Sequence, residues 1–369
     1  LVSLPISQLS TKLTSQQSWF SADWQSKTDV TGGGIMTKNI TEPARETPVV
    51  HDTGVLVVGS GPGGLAAALA AASIGVRVAL LERFGCFGGN ITVVGVEGFA
   101  WYSHENTIGT EGVGREFGAR AIAMGAATPE PQSDSHALDA GGFKVVADQL
   151  VQEAGIHPML HRQFVAPVMD GKVIRGIITE SKAGREAILA RPVIDATGDA
   201  DVAHRAGAPT RKAPREDLMA ASVMFSMTGV DPQRFLAEVR ANPQTYRDWD
   251  SGEWTVETSG KEDRMFSPFL KKPFQLAIQE GLIPQNLSTI AGTWGAIYDS
   301  GDLTYLNLVH LDGCDGTDPD DLTRFEIEGR RQAMLAVEAM RRHHPGCETA
   351  KLRNFGMTLG VRDTRKIDA

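Results

Sequence analysis

The sequence is poor in cysteine, has no long apolar run and carries no excess of positive charge. Its three cysteines, Cys86, Cys314 and Cys347, form no C-x-x-C pair, which excludes a disulfide scaffold and a dithiol redox motif. No apolar run approaches the roughly 18 residues that cross a bilayer. Acidic residues outnumber basic ones, 45 to 36, which disfavours a nucleic-acid partner. We therefore expect a cytoplasmic protein whose partners are small molecules, with neither nucleic acid nor membrane among them.

Glycine, by contrast, is in excess. The 40 glycines among 369 residues amount to about 11%, against a usual 7% or so. They indicate many places where the backbone turns tightly or approaches something closely. Hydrophobic residues make up 41% and charged residues 22%, which excludes a collagen-like, coiled-coil or wholly disordered chain. The length favours two domains, or three.

The first 52 residues lack the pattern of a folded domain. They are rich in Ser, Thr, Gln and Lys and contain three consecutive glycines at 32–34. We therefore predict a flexible N-terminal tail over residues 1–52. The first methionine is Met36, and both a natural start there and a genuine N-terminal extension remain open.

A strong motif follows the tail. Residues 54–58 are typical of a buried parallel strand, and the glycine-rich turn 59–64 leads into an alanine-rich helix over 65–72. A second strand over 76–81 ends at Glu82. This order of strand, G-x-G-x-x-G, helix, strand and acid predicts a dinucleotide-binding unit.

Each part of this unit has a physical role. Gly59 makes the tight turn, Gly61 lets the backbone approach a pyrophosphate, and Gly64 lets helix and strand pack closely. The N-terminus of the helix offers unpaired N–H groups and partial positive charge to phosphates. The Glu82 carboxylate can accept hydrogen bonds from ribose hydroxyls. A second glycine-rich stretch, 112–118, has no strand before it and predicts a loop that enters a helix.

The residues after Glu82 indicate which dinucleotide cofactor the protein binds. The run E-R-F-G-C-F-G-G-N, from Glu82 to Asn90, resembles the E-R-x-G-x-x-G-G stretch of FAD-dependent oxidoreductases with the glutathione-reductase-like fold. The resemblance implies that the acid holds the adenosine ribose and that the loop with Gly88 and Gly89 runs under the flavin diphosphate. Paired glycines suit a backbone pressed against a planar cofactor.

Further elements follow in the order of that family. A helix over 143–154 precedes strands over 158–165, 173–179 and 186–189, which resemble a three-stranded β-meander, and a last strand over 192–195 leads into an A-T-G-D turn. The resemblance implies that Val165 meets the adenine and that the turn closes over the cofactor. Together these motifs predict the following FAD contacts: Gly59, Ser60, Gly61, Pro62, Gly63, Gly64, Glu82, Arg83, Gly88, Gly89, Asn90, Val165, Ala196, Thr197, Gly198 and Asp199.

The second half predicts a substrate domain. It combines strands over 222–231 and 304–311 with helices over 235–239, 273–281 and 319–342, the last capped by Asp318. The fold class is therefore α/β: an FAD-binding Rossmann-like parallel sheet with a β-meander over 53–210, plus an α+β substrate domain over 211–369. The stretches 322–331 and 359–365 resemble the same oxidoreductases, whose chains continue further. The resemblance to these longer chains predicts a substrate domain that is incomplete at its C-terminus.

The flavin carries the redox chemistry in such an enzyme, while the protein supplies orientation and charge. Arg362 and Arg365 are candidates to bind an anionic substrate or to stabilise reduced flavin; alternatively they pair with carboxylates. His310 is a candidate acid or base, or a structural residue. His157 and His161 are four apart but flank Pro158 in a predicted strand, so no metal site is predicted.

These residues predict hydride transfer between a small organic substrate and FAD, with an electron acceptor that the sequence does not identify. The alternative is a truncated relative that keeps the fold and binds a nucleotide, or serves a structural role, without catalysis.

Overall fold

The computed structural model describes residues 39–98, 111–129, 136–242 and 269–368. Residues up to Glu46 form one unit and residues from Thr47 onward form another, and the account below concerns the second. The part of the predicted tail over 1–38 lies outside the described residues.

The first half combines strands and helices. The strands are β1 (Val49–Thr53), β2 (Val55–Val58), β3 (Val78–Leu81), β4 (Ala127–Pro129), β5 (His136–Leu138), β6 (His157–Met159), β7 (Gln163–Asp170), β8 (Val173–Ser181), β9 (Gly184–Ala190) and β10 (Val193–Asp195). The helices are α1 (Pro62–Ser73), α2 (Val113–Ala123), α3 (Ala140–Glu153) and α4 (Asp201–Arg205), with one π-helical turn over Asn90–Val94.

The elements of the second half form smaller sheets and a long helix. The strands are β11 (Thr210–Lys212), β12 (Phe225–Thr228), β13 (Phe269–Leu270), β14 (Gly292–Thr293), β15 (Leu303–Leu306), β16 (Lys351–Phe355) and β17 (Arg365–Ile367). The helices are α5 (Pro232–Ala241), α6 (Lys272–Gln279) and α7 (Pro319–His343), and short 3₁₀ turns cover Arg215–Asp217 and Gln285–Leu287.

A four-stranded parallel sheet, in the order β10-β2-β3-β6, forms the centre of the first half. Val55 and Val57 face a cluster that includes Leu65 of α1 and Phe143 of α3. Leu56, between them in sequence, faces the opposite cluster, which includes residues of the meander. Because both faces of the sheet are covered, β2 is apolar at every position rather than at alternate ones. The predicted strand, helix and strand of the dinucleotide-binding unit are confirmed.

The second sheet, in the order β1-β9-β8-β7, is the predicted meander with one additional strand. β7, β8 and β9 pair antiparallel, and β1 pairs parallel with β9 at the edge. The prediction that the tail extends to Asp52 is therefore wrong at its end. Val49 and Val50 are half-exposed, at 56% and 44%, so this edge strand lacks the buried apolar pattern that would have marked it.

The predicted strand over 158–165 is also wrong, because it is two strands in two sheets. β6 pairs parallel with β3, whereas β7 begins the meander. Between them His161 has a φ of 57°, which bends the chain out of the first sheet. The Glu82 N–H donates to the Met159 carbonyl at 2.9 Å and thereby fixes the end of β6 beside the end of β3.

The second half surrounds its own apolar core. β12 lies between β15 and β16, paired antiparallel with both. The core includes Phe235 of α5, Trp294 and Met340 of α7, and the first two rings meet edge to face at 5.3 Å. The Asp318 side chain accepts hydrogen bonds from the Asp320 and Asp321 N–H groups at the start of α7, as expected for an N-cap.

The end of the described chain pairs with the strand that opens the second half. β17 pairs antiparallel with β11, so residues 365–367 lie against residues 210–212. The core of the second half draws on residues from 221 onward, and the two cores of the first half draw on residues up to 202. This separation supports the division at residue 210, which stays a prediction. None of the helices in the described ranges is both long and apolar enough to cross a membrane.

Candidate functional site

The glycine-rich turn between β2 and α1 is held by close backbone contacts. Gly59 has a φ of 98°, and a Cβ there would lie 2.3 Å from the Ala196 carbonyl oxygen. A Cβ at Gly64 would lie 2.0 Å from the Gly59 carbonyl oxygen. A side chain at Gly64 would push the helix away from the turn, whereas one at Gly59 would meet the backbone of residues 196–197 and strain a positive φ, in agreement with the tight turn predicted there.

The outer side of the same turn is open. Cβ atoms placed at Gly61 or Gly63 meet nothing within 4 Å among the described residues. Gly61 is the N-cap of α1 with a φ of −59°, and no described side chain caps this helix. The protein's own packing therefore does not require glycine at 61, whereas a phosphate approaching the backbone does. Open space in front of an uncapped helix N-terminus fits the diphosphate of a dinucleotide.

Glu82 lies buried at the end of β3 and accepts three hydrogen bonds. Its Oε2 accepts from the Ser60 N–H at 3.0 Å and from the Ser60 hydroxyl at 2.7 Å, and its Oε1 accepts from the Phe84 N–H at 3.0 Å. These bonds hold the carboxylate against the glycine-rich turn. Each oxygen has further lone-pair capacity for a ribose hydroxyl, so Glu82 stays a predicted FAD contact.

The loop with Gly88 and Gly89 packs on that turn from the other side. The Gly88 N–H donates to the Ser60 carbonyl at 2.9 Å. A Cβ at Gly89 would lie 2.5 Å from the Gly61 Cα. The pair is thus explained by protein contacts, which differs from the expected contact with a cofactor, although the loop does border the open space. Asn90, exposed, follows directly, and Cys86 is buried behind the loop with its thiol near the Thr92 hydroxyl.

The A-T-G-D turn, residues 196–199, lies beside the glycine-rich turn. The Ala196 N–H donates to the Val58 carbonyl at 2.8 Å, and the Thr197 hydroxyl donates to Asp195 Oδ1 at 2.7 Å. Gly198 has a φ of 84° and open space around it. The fold therefore brings the fingerprint turn, the Gly88–Gly89 loop and residues 196–198 to one edge of the parallel sheet.

Asp199 joins this edge to the end of the described chain. Its Oδ1 accepts a hydrogen bond from the Thr364 hydroxyl at 2.9 Å. Burial raises the pKa of Asp199, while the Thr364 bond and the nearby Arg83 and Arg365 oppose that rise. Thr364 had no signal in the sequence, because only the tertiary fold brings it to the turn.

Two further predicted contacts have partners of their own. The Arg83 guanidinium lies over the Phe84 ring, 4.8 Å from its centre. The Val165 carbonyl accepts a hydrogen bond from Arg205. Neither contact tests the predicted role of these residues toward FAD.

The catalytic candidates have structural hydrogen bonds. His310 Nε2 lies 3.1 Å from the Ala291 carbonyl; a carbonyl only accepts, so Nε2 carries the proton. Arg362 donates to the Ala220 carbonyl, to the Ser222 hydroxyl at 3.1 Å and to Asn307 Oδ1 at 3.4 Å. These bonds favour the alternative that both side chains support the fold, and their catalytic roles stay predictions.

The contacts of Arg365 also favour the alternative that this arginine pairs with carboxylates. It pairs with Asp201 at 2.9 Å and donates to the Asp199 carbonyl at 3.4 Å. Its charge is therefore shared with a carboxylate of the first half.

A cavity of about 430 Å³ lies where the two halves meet. Four segments line it: residues 92–97 after the glycine loop, 139–144 at the start of α3, 224–226 around β12, and 353–357 at the end of β16. Its size is in the range of small-molecule sites. His310 and Arg362 are not among the described residues that line it.

Glu97 is the functional candidate that the sequence analysis missed. Its side chain is 8% exposed, its Oε1 accepts from the Ala140 N–H at 3.2 Å, and its Oε2 has no hydrogen-bond partner among the described residues. Burial raises the pKa of Glu97 to about 7, and the negative charge of Asp139 adds to the rise. The hydrogen bonds with Ala140 and Thr304 and the positive charge of Arg353 oppose it. Its one sequence signal was an acid in the mostly apolar run 91–100.

The parallel sheet, the open glycine-rich turn and the acid at the end of β3 define a dinucleotide-binding α/β protein. Residues 54–369 match the family described as FAD dependent oxidoreductase. The chain belongs to this family of FAD-dependent enzymes, and FAD is its cofactor. No curated protein matches the sequence significantly.

Solved structures show more distant likenesses. A geranylgeranyl bacteriochlorophyll reductase-like protein from Thermoplasma acidophilum is 16% identical with a TM-score of 0.49, over 85% of this chain and 66% of that one. A p-nitrophenol 4-monooxygenase from Pseudomonas putida is 14% identical with a TM-score of 0.47, over 86% and 69%. A glycerol-3-phosphate dehydrogenase from Bacillus halodurans complexed with FAD is 16% identical with a TM-score of 0.37, over 50% and 41%. At these values the likenesses add no argument about the reaction.

Proposed function

We propose that this protein transfers a hydride between a small organic substrate and FAD, and that a separate acceptor then receives the electrons. The observation that carries the proposal is the meeting of three segments, the turn 59–64, the loop 88–90 and the turn 196–199, at one edge of the parallel sheet, with open space at Gly61, Gly63 and Gly198. The cavity between the halves begins at Thr92, a few residues beyond that loop. We also propose that the fold falls within the glutathione-reductase-like group of FAD enzymes, as the E-R-x-G-x-x-G-G stretch suggests.

The chain's own groups each have a role in this proposal. The backbone of Gly61 and the N-terminus of α1 would bind the diphosphate. Glu82 would hold the adenosine ribose, and the Val165 backbone would meet the adenine. FAD, when bound, supplies the two-electron redox chemistry. The walls of the cavity would orient the substrate and exclude water from it.

Two proposals concern the setting of the enzyme. The three free cysteines are buried, which supports a reducing, cytoplasmic location. The acidic balance of 45 to 36 supports small-molecule partners rather than nucleic acid.

Anaerobic flavin reduction tests the direction of the reaction. The purified full chain is loaded with FAD, and the visible flavin absorbance is followed after addition of NADH, NADPH, or each of a panel of alcohols, amines and hydroxy acids. The proposal expects bleaching by an organic donor with neither nicotinamide present, and a slower rate when the donor carbon is deuterated.

Bleaching by NADH or NADPH alone would contradict the proposal, since the organic substrate would then not be the hydride donor. Failure to retain FAD at saturating concentration would contradict the cofactor site itself. Non-enzymatic reduction is excluded if the compound bleaches the flavin bound to wild-type protein but not free FAD in buffer.

A further inference from the structure

The cavity between the halves combines a buried carboxyl group with two cationic side chains. Glu97 lies at its wall with Oε2 unpartnered among the described residues. Lys144 of α3 and Arg353 of β16 line the same cavity. Lys144 forms no ion pair with any residue in the described ranges, and the nearest approach of Arg353 to a carboxylate is 3.7 Å, to Asp302.

A buried polar atom without a partner costs free energy unless a ligand or water satisfies it. Glu97 Oε2 is such an atom, in a side chain that is more than nine-tenths buried. The other oxygen, Oε1, already accepts a hydrogen bond from the Ala140 N–H. Glu97 lines the cavity, so its carboxyl group lies beside any molecule bound there.

Burial, together with the charges around Glu97, decides whether its carboxyl group is protonated. Asp139 of α3 is a negative neighbour, and Arg353 is a positive one. Thr304 of β15 and Tyr298 also lie near it, and burial together with Glu97 and Asp139 raises the pKa of Tyr298, which keeps that phenol neutral. With Glu97 protonated, the remaining charges on the cavity wall are Asp139, Lys144 and Arg353, and Arg353 has Asp302 at 3.7 Å. A protonated carboxyl group can also donate a hydrogen bond.

We propose that the cavity binds the carboxylate of a small organic acid, with Lys144 and Arg353 as its cationic anchors and the protonated Glu97 as a hydrogen-bond donor. An ionised Glu97 beside Asp139 repels the same ligand, so binding is coupled to uptake of one proton. The inference rests on the proposed function, because it names the substrate class of that enzyme: small carboxylic acids.

The size of the coupling follows from the titration of Glu97. With a pKa of about 7, roughly nine-tenths of the molecules carry the proton at pH 6 and roughly one-tenth at pH 8. Apparent affinity scales with the fraction in the binding-competent state. The dissociation constant therefore rises about tenfold between pH 6 and pH 8.

Isothermal titration with glycolate tests the inference on the full chain saturated with FAD. Glycolate is ionised at both pH values, since its carboxyl group titrates near pH 4. Wild-type protein should bind it about tenfold more weakly at pH 8 than at pH 6. Titrations at pH 8 in two buffers of different ionisation enthalpy should show uptake of close to one proton. Glu97→Gln should show neither effect.

Three controls make the outcome decisive. Ethylene glycol, which replaces the carboxylate by a neutral group, should not bind. Lys144→Gln should weaken glycolate binding by roughly tenfold or more, while Lys172→Gln, in the exposed hairpin turn after β7, should leave it unchanged. Equal binding of inorganic phosphate would overturn the assignment to carboxylates. A dissociation constant that does not change with pH, or changes equally in Glu97→Gln, would overturn the role of Glu97.

The FAD affinity of each variant separates this inference from the proposed function. Glu97→Gln and Lys144→Gln should bind FAD as wild type does. If wild-type protein binds no FAD, the proposed function fails, and the glycolate titration is then performed on the chain without FAD. If FAD binds but glycolate shows no binding at pH 6, only the inference about the cavity fails.

Discussion

The second and third glycines of the G-x-G-x-x-G fingerprint, Gly61 and Gly64, should respond to alanine in opposite ways. At Gly61 a Cβ meets nothing within 4 Å, and the φ of −59° suits alanine. Replacing glycine by alanine at a compatible position stabilises a protein by about 0.4–1 kcal/mol. We therefore expect Gly61→Ala apoprotein to be at least as stable as wild type.

FAD binding by the same variant should be much weaker. The methyl group occupies the space that the diphosphate needs, and the loss of one hydrogen bond to a charged group costs about 1.5–3 kcal/mol. At 1.4 kcal/mol for each factor of ten, the dissociation constant of FAD should rise by roughly ten- to a hundredfold.

Gly64→Ala should show the reverse pattern. Its Cβ would lie 2.0 Å from the Gly59 carbonyl oxygen, against about 3.3 Å for a close carbon–oxygen contact, so the backbone must move by more than about 1 Å. Overpacking of this kind costs about 1–3 kcal/mol, and the intrinsic preference of a helix for alanine offsets less than about 1 kcal/mol of it.

Urea unfolding of the apoproteins and quenching of flavin fluorescence on titration measure the two effects separately. Ser73→Ala, at the C-terminal end of the same helix, is the control and should keep wild-type FAD affinity. FAD affinity of Gly61→Ala within threefold of wild type would refute the diphosphate assignment. Wild-type stability of Gly64→Ala would refute the packing argument.

Three further predictions concern single side chains. Glu82→Gln places an amide donor against the Ser60 and Phe84 N–H groups, so the urea midpoint should fall by the equivalent of about 1–3 kcal/mol; Glu82→Asp, which keeps the charge, should lose less. The folded protein binds a proton at Glu97 up to about pH 7 that the unfolded chain releases near pH 4.5, so this contribution to stability is complete below pH 4.5 and is lost as the pH rises to 7. Between pH 5 and pH 8 wild type should therefore lose about 2 kcal/mol more stability than Glu97→Gln, and parallel curves for the two proteins would exclude a raised pKa. Asp318→Ala removes the N-cap of α7 and should cost about 1 kcal/mol in urea unfolding, whereas an equal loss in Asp320→Ala, which lies two residues after the cap, would argue against capping.

Local patterns predicted much of the first half. The β-branched run 54–58, the glycine spacing and the acid at Glu82 each act over a few residues, and the structure confirms the strand, helix and strand. Asp318 was likewise predicted as an N-cap from the aspartates and proline beside it, because capping involves the next three N–H groups only.

Elements stabilised by distant partners were not predictable in the same way. β1 is an edge strand whose pairing partner, β9, is far along the chain, and its half-exposed valines show no period. The stretch 158–165 is apolar enough to be one strand, but its first part completes the parallel sheet beside β3 while its second part starts the meander.

The sequence by itself determined the class of protein, since the fingerprint glycines, the acid and the following loop are contiguous and their spacing specifies the chemistry. The tertiary structure alone decided where the cavity lies and which residues line it. Glu97, the start of α3 and Arg353 come from three separated segments, and neither burial nor a shifted pKa exists until they pack together. Short-range sterics and hydrogen bonding are encoded locally, whereas desolvation and charge pairing depend on what the rest of the chain brings near.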